Sequence, residues 1–529
     1  MKVFTMLKQY KAAELIKMII LGLGIISSVF IILNKENYHI DEVSSFILSN
    51  CIDSTGLVSQ DGIKYNNTES PWITGMAATG QSRFNLENVW QNQKNDTHPP
   101  LYYILLNFIC SIFPGQISRW FPGIINIAFF VLAAFFIFKL SQCLIADRFS
   151  DHVILAYAVF CYGMIQMNSF FRMYIMAMAW IVLFTYFNIR ALIKRKMDIS
   201  YYFSIMMVVF LGALTHYYVI IFAVFQSLAM VIVLCRLKMI KELFSYILAV
   251  LFAGMHAVLL FPYMFYHIFT GGTRGKQAFQ NFATEGIERI ISFWKILNDQ
   301  IAGGLLFFVL GYILIAFIIM GIRRVRKKER QSTKPPERQI SFWSWFLLIF
   351  PVILYLLVVS KSAAYITDRY IYPAYGLLVV ILTGGICLTT QSLFRNYNKI
   401  QKGIILMMTG ILLFMGYRNA DWEFLYHSEQ SETALANAEK YKDFSCIYFY
   451  AEKWECKASY LEAIKYVDIT FYPVSRMGEI KDITEPTVIY VPREQSEEYI
   501  QQVMKQNPKL TEYEIISRFS GYETGYMVE

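Results

Sequence analysis

The sequence predicts an α-helical polytopic membrane protein with a small extracytoplasmic α/β domain at its C-terminus. Three observations predict it. Of 529 residues, 56% are hydrophobic and 16% charged, whereas soluble globular chains carry about a quarter charged residues. Long apolar runs recur from residue 18 to residue 417, and many approach the ~20 residues with which a helix crosses a hydrocarbon core of about 30 Å. Charge is split along the chain. Residues 1–417 hold 36 Lys and Arg against 19 Asp and Glu, while residues 418–529 hold 12 against 20 and contain no run long enough to span. The sequence therefore divides into a basic membrane body, 1–417, and an acidic tail, 418–529. The overall charge of +9 points to a membrane surface and not to nucleic acid.

The first run, residues 18–33, follows Lys2, Lys8, Lys11 and Lys17 and lacks a small-x-small cleavage site. It reads as an uncleaved anchor. Placing the short Lys/Arg-rich loops on the cytoplasmic side sets the remaining spans at 119–141, 152–168, 173–190, 201–214, 217–235, 244–261, 301–322, 341–360, 371–390 and 403–417. That makes about eleven transmembrane helices, with the N-terminus cytoplasmic and the C-terminus outside. The loop from Arg323 to Arg330 is the most basic of all.

Leu101–Phe113 has thirteen residues between Pro100 and Pro114, too few to cross. It is expected to lie along the outer surface as an interfacial helix. Counting it as a span would put every later basic loop outside. Two long outer loops follow, 34–118 and 262–300. The second contains Gly271-Gly272-Thr273-Arg274-Gly275-Lys276, a flexible basic stretch suited to a mobile lid but without the spacing of a P-loop.

The tail alternates strand-like runs at Ile447–Tyr450, Val467–Tyr472 and Thr487–Val491 with helix-like runs at Ala458–Ala463 and Gln495–Lys505. Alternation of this kind predicts a parallel sheet. Eight cysteines are scattered without CxxC spacing, so no metal or redox motif is expected. A tail outside the cytoplasm would permit a bridge between Cys446 and Cys456, and two free thiols are the plainer reading. No cofactor is expected. Asp41, Glu42 and His98 are the residues that would hold a divalent cation, although a carboxylate base needs none.

The informative polar residues fall on one side of this topology. Asp41 and Glu42 follow the first span, and His98 opens the interfacial helix. Gln166, Asn168, Arg172 and Tyr174 stand at one outer turn, Thr215, His216, Tyr217 and Tyr218 at another, and Asp368, Arg369 and Tyr370 before the 371–390 span. Ionisable groups near a membrane are costly and usually have a partner or a task. Each also has a plainer reading: a solvated acidic loop, a snorkelling Arg172, a packed interfacial His216, an Asp368–Arg369 surface pair. Together they supply complementary parts, a carboxylate for a base and arginines for a phosphate.

Asp41-Glu42 after the first span, His98-Pro99-Pro100-Leu101-Tyr102-Tyr103, Phe171-Arg172-Met173-Tyr174, Thr215-His216-Tyr217 and Asp368-Arg369-Tyr370 together resemble the GT-C superfamily of integral-membrane glycosyltransferases. Within it the chain is similar to bacterial relatives of protein O-mannosyltransferases and of aminoarabinose-lipid A transferases. The resemblance covers about residues 12–417 and leaves the tail outside. It implies transfer of a sugar from a polyprenyl-phosphate donor to a glycan, lipid or protein acceptor on the outer face of the membrane. It further implies Asp41 as general base with Glu42 beside it, and inversion at the anomeric carbon. Arg172, Arg369 and Lys276 would bind the donor phosphate, and His98, Tyr174, His216, Tyr217 and Tyr370 would line the substrate pocket. One departure stands out: Asn168-Ser169-Phe170-Phe171-Arg172 has no acidic residue next to its arginine, which bears on the acceptor. The competing readings are a flippase or transporter for a lipid-linked glycan, which would show repeats and broken midplane helices, and a polymerase or ligase with a diphosphate-linked donor.

Overall fold

Lipid offers no hydrogen-bond partners to the backbone, so apolar runs must satisfy their own as helices. The computed structural model describes residues 2–52, 59–66, 71–145, 147–270, 273–327, 335–481 and 483–529. Among them, nine helices are long and apolar enough to cross a membrane, from Lys11–Asn34 to Asn398–Arg418. Every expected span is helical, but two fall short of that length. Residues 152–168 are divided between helices Arg148–Phe160 and Tyr162–Ser169, because the backbone at Cys161 is extended (φ −63°, ψ 131°). The 201–214 run forms a helix of 15 residues, Ile199–Ala213. Leu101–Ile112 is a helix of 12 residues, too short to span, with half of its residues buried against the body of the protein.

The segment 262–300 departs from the expected flexible lid. Gly271 and Gly272 lie outside the described residues, but Thr273–Thr284 is a helix, tied down where Asn281 Nδ2 donates to the Ala363 carbonyl (2.8 Å). Residues 328–334, part of the most basic loop, also lie outside the described residues.

The tail forms a mixed sheet where a parallel one was expected. Its strands are β1 (Lys64–Asn66), β2 (Ser445–Tyr450), β3 (Asp468–Pro473), β4 (Thr487–Pro492), β5 (Tyr513–Ser517) and β6 (Glu523–Val528), in the order β1-β3-β2-β4-β6-β5. Only β3, β2 and β4 run parallel; β6 pairs antiparallel with both β4 and β5. The chain returns through β5 and β6 as a hairpin without an intervening helix, which forces the antiparallel edge. β1 comes from the segment 34–118 and pairs antiparallel with β3, with Lys64 ion-paired to Asp468 at 3.0 Å. One hydrophobic core runs from the long apolar helices through helix Leu101–Ile112 to β2 and β4. Cys446 and Cys456 are buried free thiols, not a bridge.

Candidate active site

The acidic pair opens helix Ile40–Asn50, and the cap of that helix separates its two members. His39 Nδ1 accepts from the Asp41 N–H (3.1 Å), and Glu42 Oε2 accepts from the His39 N–H (2.7 Å), a reciprocal capping box. Burial pulls His39 down to about 4, against the opposing charge of Asp41, so the imidazole is neutral and its Nδ1 is free to accept. Neighbouring helical residues point about 100° apart, so Asp41 and Glu42 face different surroundings. Glu42 is turned into the protein. It is fully buried, its Oε1 accepts from the Phe171 N–H (2.6 Å), and Lys35 Nζ stands 3.1 Å away. Expected beside Asp41 in the chemistry, Glu42 instead has both oxygens engaged in holding the fold.

Asp41 keeps 30% of its side-chain surface open. It faces two arginines from distant parts of the chain. Arg369 forms an ion pair with Asp41 Oδ2. Arg172 Nη1 donates to the Asp41 carbonyl and to Ser45 Oγ, both at 2.9 Å. Burial works to raise the Asp41 carboxyl, but the charges of Arg172 and Arg369 outweigh it and hold the group well below the usual carboxylate range. Among the described residues the buried Nε–H of Arg172 has no hydrogen-bond partner, nor have the hydroxyls of Tyr102 and Tyr103 on helix Leu101–Ile112. A buried donor without a partner costs free energy.

Both arginines are held by their backbones. Asn126 Nδ2 donates to the carbonyls of Asn168 and Phe170, each at 2.9 Å, which pins the turn before Arg172. Arg369 lies in a short 3₁₀ turn, Asp368–Tyr370. There Asp368 Oδ2 accepts from Gln300 Nε2 (2.7 Å) and from the Tyr372 hydroxyl, and Tyr355 donates to the Tyr370 carbonyl (2.9 Å). The Gln300 backbone packs closely on Gly163, where a Cβ would sit 2.9 Å from the Gln300 carbonyl oxygen. Asp368 is thus an internal acceptor that shapes the Arg369 turn, not the partner of Arg369.

An aromatic wall completes the site. The His216 ring lies 5.4 Å from Tyr174, 4.7 Å from Tyr218 and 5.8 Å from His98. Burial pulls His216 well below its ordinary value, and its Nδ1 accepts from the Tyr218 N–H (3.0 Å) as the cap of helix Tyr217–Arg236. Tyr370 packs 5.7 Å from Tyr218. His98 Nδ1 donates to Asp96 Oδ2 (2.7 Å). Burial acts to raise the Asp96 carboxyl, but His98 overrides it and holds the group down.

Asp41, Arg172, Arg369, His98, Tyr174, His216 and Tyr370 therefore belong to one cluster. Two other expected residues do not. Tyr217 turns away and donates to His267 Nδ1 (2.6 Å), whose Nε2 in turn donates to the Lys94 carbonyl (3.0 Å). Lys276 is exposed on helix Thr273–Thr284 and makes none of these contacts; its neighbour Arg274 reaches the Tyr365 hydroxyl instead (3.2 Å). The sequence reading missed His39, Asp96 and Tyr103 as site residues. His39 and Asp96 had a signal, each lying two residues from a residue already singled out. Among the described residues, no group of three or more His, Cys, Asp or Glu is arranged to hold a metal ion.

No family model and no curated protein matches the sequence. Solved structures align with most of the chain. One is the archaeal oligosaccharyltransferase AglB from Archaeoglobus fulgidus, in complex with an inhibitory peptide and a dolichol-phosphate. It is 12% identical over 92% of this chain and 68% of its own, with a TM-score of 0.43. Another is ArnT from Cupriavidus metallidurans bound to undecaprenyl phosphate, 10% identical over 96% of this chain and 97% of its own, with a TM-score of 0.48.

Proposed function

We propose that this chain is a membrane glycosyltransferase that moves a sugar from a polyprenyl-phosphate donor to an acceptor hydroxyl at the outer face of the membrane. The observation that carries the reading is Asp41, a partly open carboxylate flanked by two arginines at one end of an apolar helical bundle. The acceptor oxygen attacks the anomeric carbon while Asp41 takes its proton. The bond from that carbon to the phosphate oxygen breaks, its electron pair leaves with the lipid phosphate, and one displacement inverts the centre. Arg172 and Arg369 bind the phosphate as its negative charge grows.

The Asp41–Arg369 pair adds a condition. A carboxylate held at very low pKa is a poor base. A donor phosphate that draws Arg369 to itself frees Asp41 of one cation and makes it more basic, so donor binding prepares the base.

Purified full-length chain, given a defined polyprenyl-phosphate sugar and a panel of hydroxyl acceptors, is expected to consume the donor and release polyprenyl phosphate. A flippase would leave the donor intact, and a diphosphate-dependent ligase would act only on a diphosphate donor. Orientation is tested separately. In a background lacking the exposed Cys235, Arg330→Cys should be shielded from an impermeant thiol reagent in intact cells, and Gln430→Cys should label. The opposite pattern overturns the outward-facing site.

A further inference from the structure

The tail reaches into the site. Segment Glu455–Ser459 packs on helix Ile40–Asn50, and the Tyr460 ring that follows it lies 6.0 Å from Tyr38. The segment is anchored from both sides: Lys453 pairs with Asp61 of the first outer loop (3.4 Å), and Ser459 Oγ donates to Glu523 Oε2 in β6 (3.2 Å). Between these anchors Lys457 is 7% exposed and donates to Ser44 Oγ at 3.3 Å. Ser44 stands three residues beyond Asp41, on the same face of the helix.

An ammonium has three N–H donors, and burying one is costly unless it is paired. Among the described residues no carboxylate lies within ion-pair distance of Lys457, and one long bond to a neutral hydroxyl is its hydrogen bonding. The carboxylates that act on it are Asp96 and Asp41, the acids of the site. They oppose the burial that pulls the ammonium below its ordinary range. With Arg172 and Arg369, three cations thus face two carboxylates, leaving a positive surplus beside the partnerless Nε–H of Arg172.

We propose that Lys457 is a third anion-binding group of this site, delivered by the tail, and that it takes the phosphate of the lipid-linked donor. The proposal rests on the donor reading above. It gives the C-terminal sheet a function: the strands hold Lys457 over the turn that carries Asp41, so the phosphate site is complete only when the tail is docked. The leaving phosphate gains charge during transfer, so the added cation acts on the departing group as well as on the bound donor.

The test is binding of undecaprenyl phosphate to the purified full-length chain, which requires neither the sugar nor the acceptor to be known. Lys457→Met should weaken binding by about tenfold or more, the scale of a lost charge-assisted contact. Lys457→Arg should retain most of it, and Ser44→Ala, which removes only the lysine's partner in the fold, should bind as the parent does. Should the Met variant fail to fold, Lys457→Gln carries the same expectation. Equal binding by the parent and the Met variant overturns the proposal and leaves the donor reading standing. Equal losses in Ser44→Ala and Lys457→Met overturn it as well, reducing the lysine to a staple. A parent chain that does not bind the probe overturns both readings. Displacement of the lipid by inorganic phosphate at matched concentration overturns the lipid-linked source.

Discussion

Asp41→Asn should lower sugar transfer by about a hundredfold or more, the scale of a lost general base, while donor binding changes far less. The substitution keeps the shape of the side chain and removes the proton acceptor. The cost of removing the acid is distinctive because Asp41 is never neutral at working pH. Two arginines hold its carboxyl below the usual range despite burial, so the free protein carries the anion from mildly acidic pH upward. The stability linked to it is present above the ordinary carboxylate value and is lost only as pH falls through the lowered one. An acidic limb in the rate profile near neutrality would therefore belong to another group, or to Asp41 after the donor has drawn Arg369 away. Single-turnover transfer and donor affinity, measured on the same preparation, separate these effects. Near-normal transfer by Asp41→Asn would sink the assignment of the base.

Glu42→Gln produces its loss by a different route. Lys35 and Glu42 have side-chain exposures of 1% and 0% and stand 3.1 Å apart. Lys35 also donates to the Phe424 carbonyl and lies 5.0 Å from the Phe171 ring centre. Removing one partner of such a pair leaves an uncompensated buried charge and costs about 3–5 kcal/mol, whereas removing both charges together is often close to neutral. Glu42→Gln should therefore destabilise the protein severely, and Lys35→Met combined with Glu42→Gln should recover much of the stability and the transfer activity. Equilibrium unfolding in mixed micelles and an activity assay on both variants decide it. If Glu42 were a catalytic acid or base, the double variant would be stable and inactive.

Glu42 and Asp41 illustrate what a sequence can and cannot say about this site. Both carry a carboxylate beside the same membrane span, and nothing in Asn37-Tyr38-His39-Ile40-Asp41-Glu42 tells which faces the opening. The His39 cap starts the helix where it does and sends the two side chains different ways. Similarly, Tyr217 and Tyr218 are equivalent in sequence, yet one supports His267 and the other packs against Tyr370. Lys457 was invisible. It sits in a segment of unremarkable composition more than 400 residues from its neighbour Ser44.

The sequence by itself determined the apolar helical body, the short apolar helix near Leu101–Ile112 and the three central strands of the tail. These follow from local rules: a backbone in lipid must close its own hydrogen bonds, and a crossing needs a minimum length. It also marked Asp41, Arg172 and Arg369 as polar exceptions, because charge beside a membrane is conspicuous. Only the tertiary structure decided which of these meet. Arg172 and Arg369 reach Asp41 across 131 and 328 residues, β1 leaves the first outer loop to pair with β3, and the break at Cys161 divides one expected span in two. Pairing over such distances is set by the packing of the whole bundle, since a guanidinium donates to any well-placed oxygen, and no periodicity along the chain encodes which oxygen that will be.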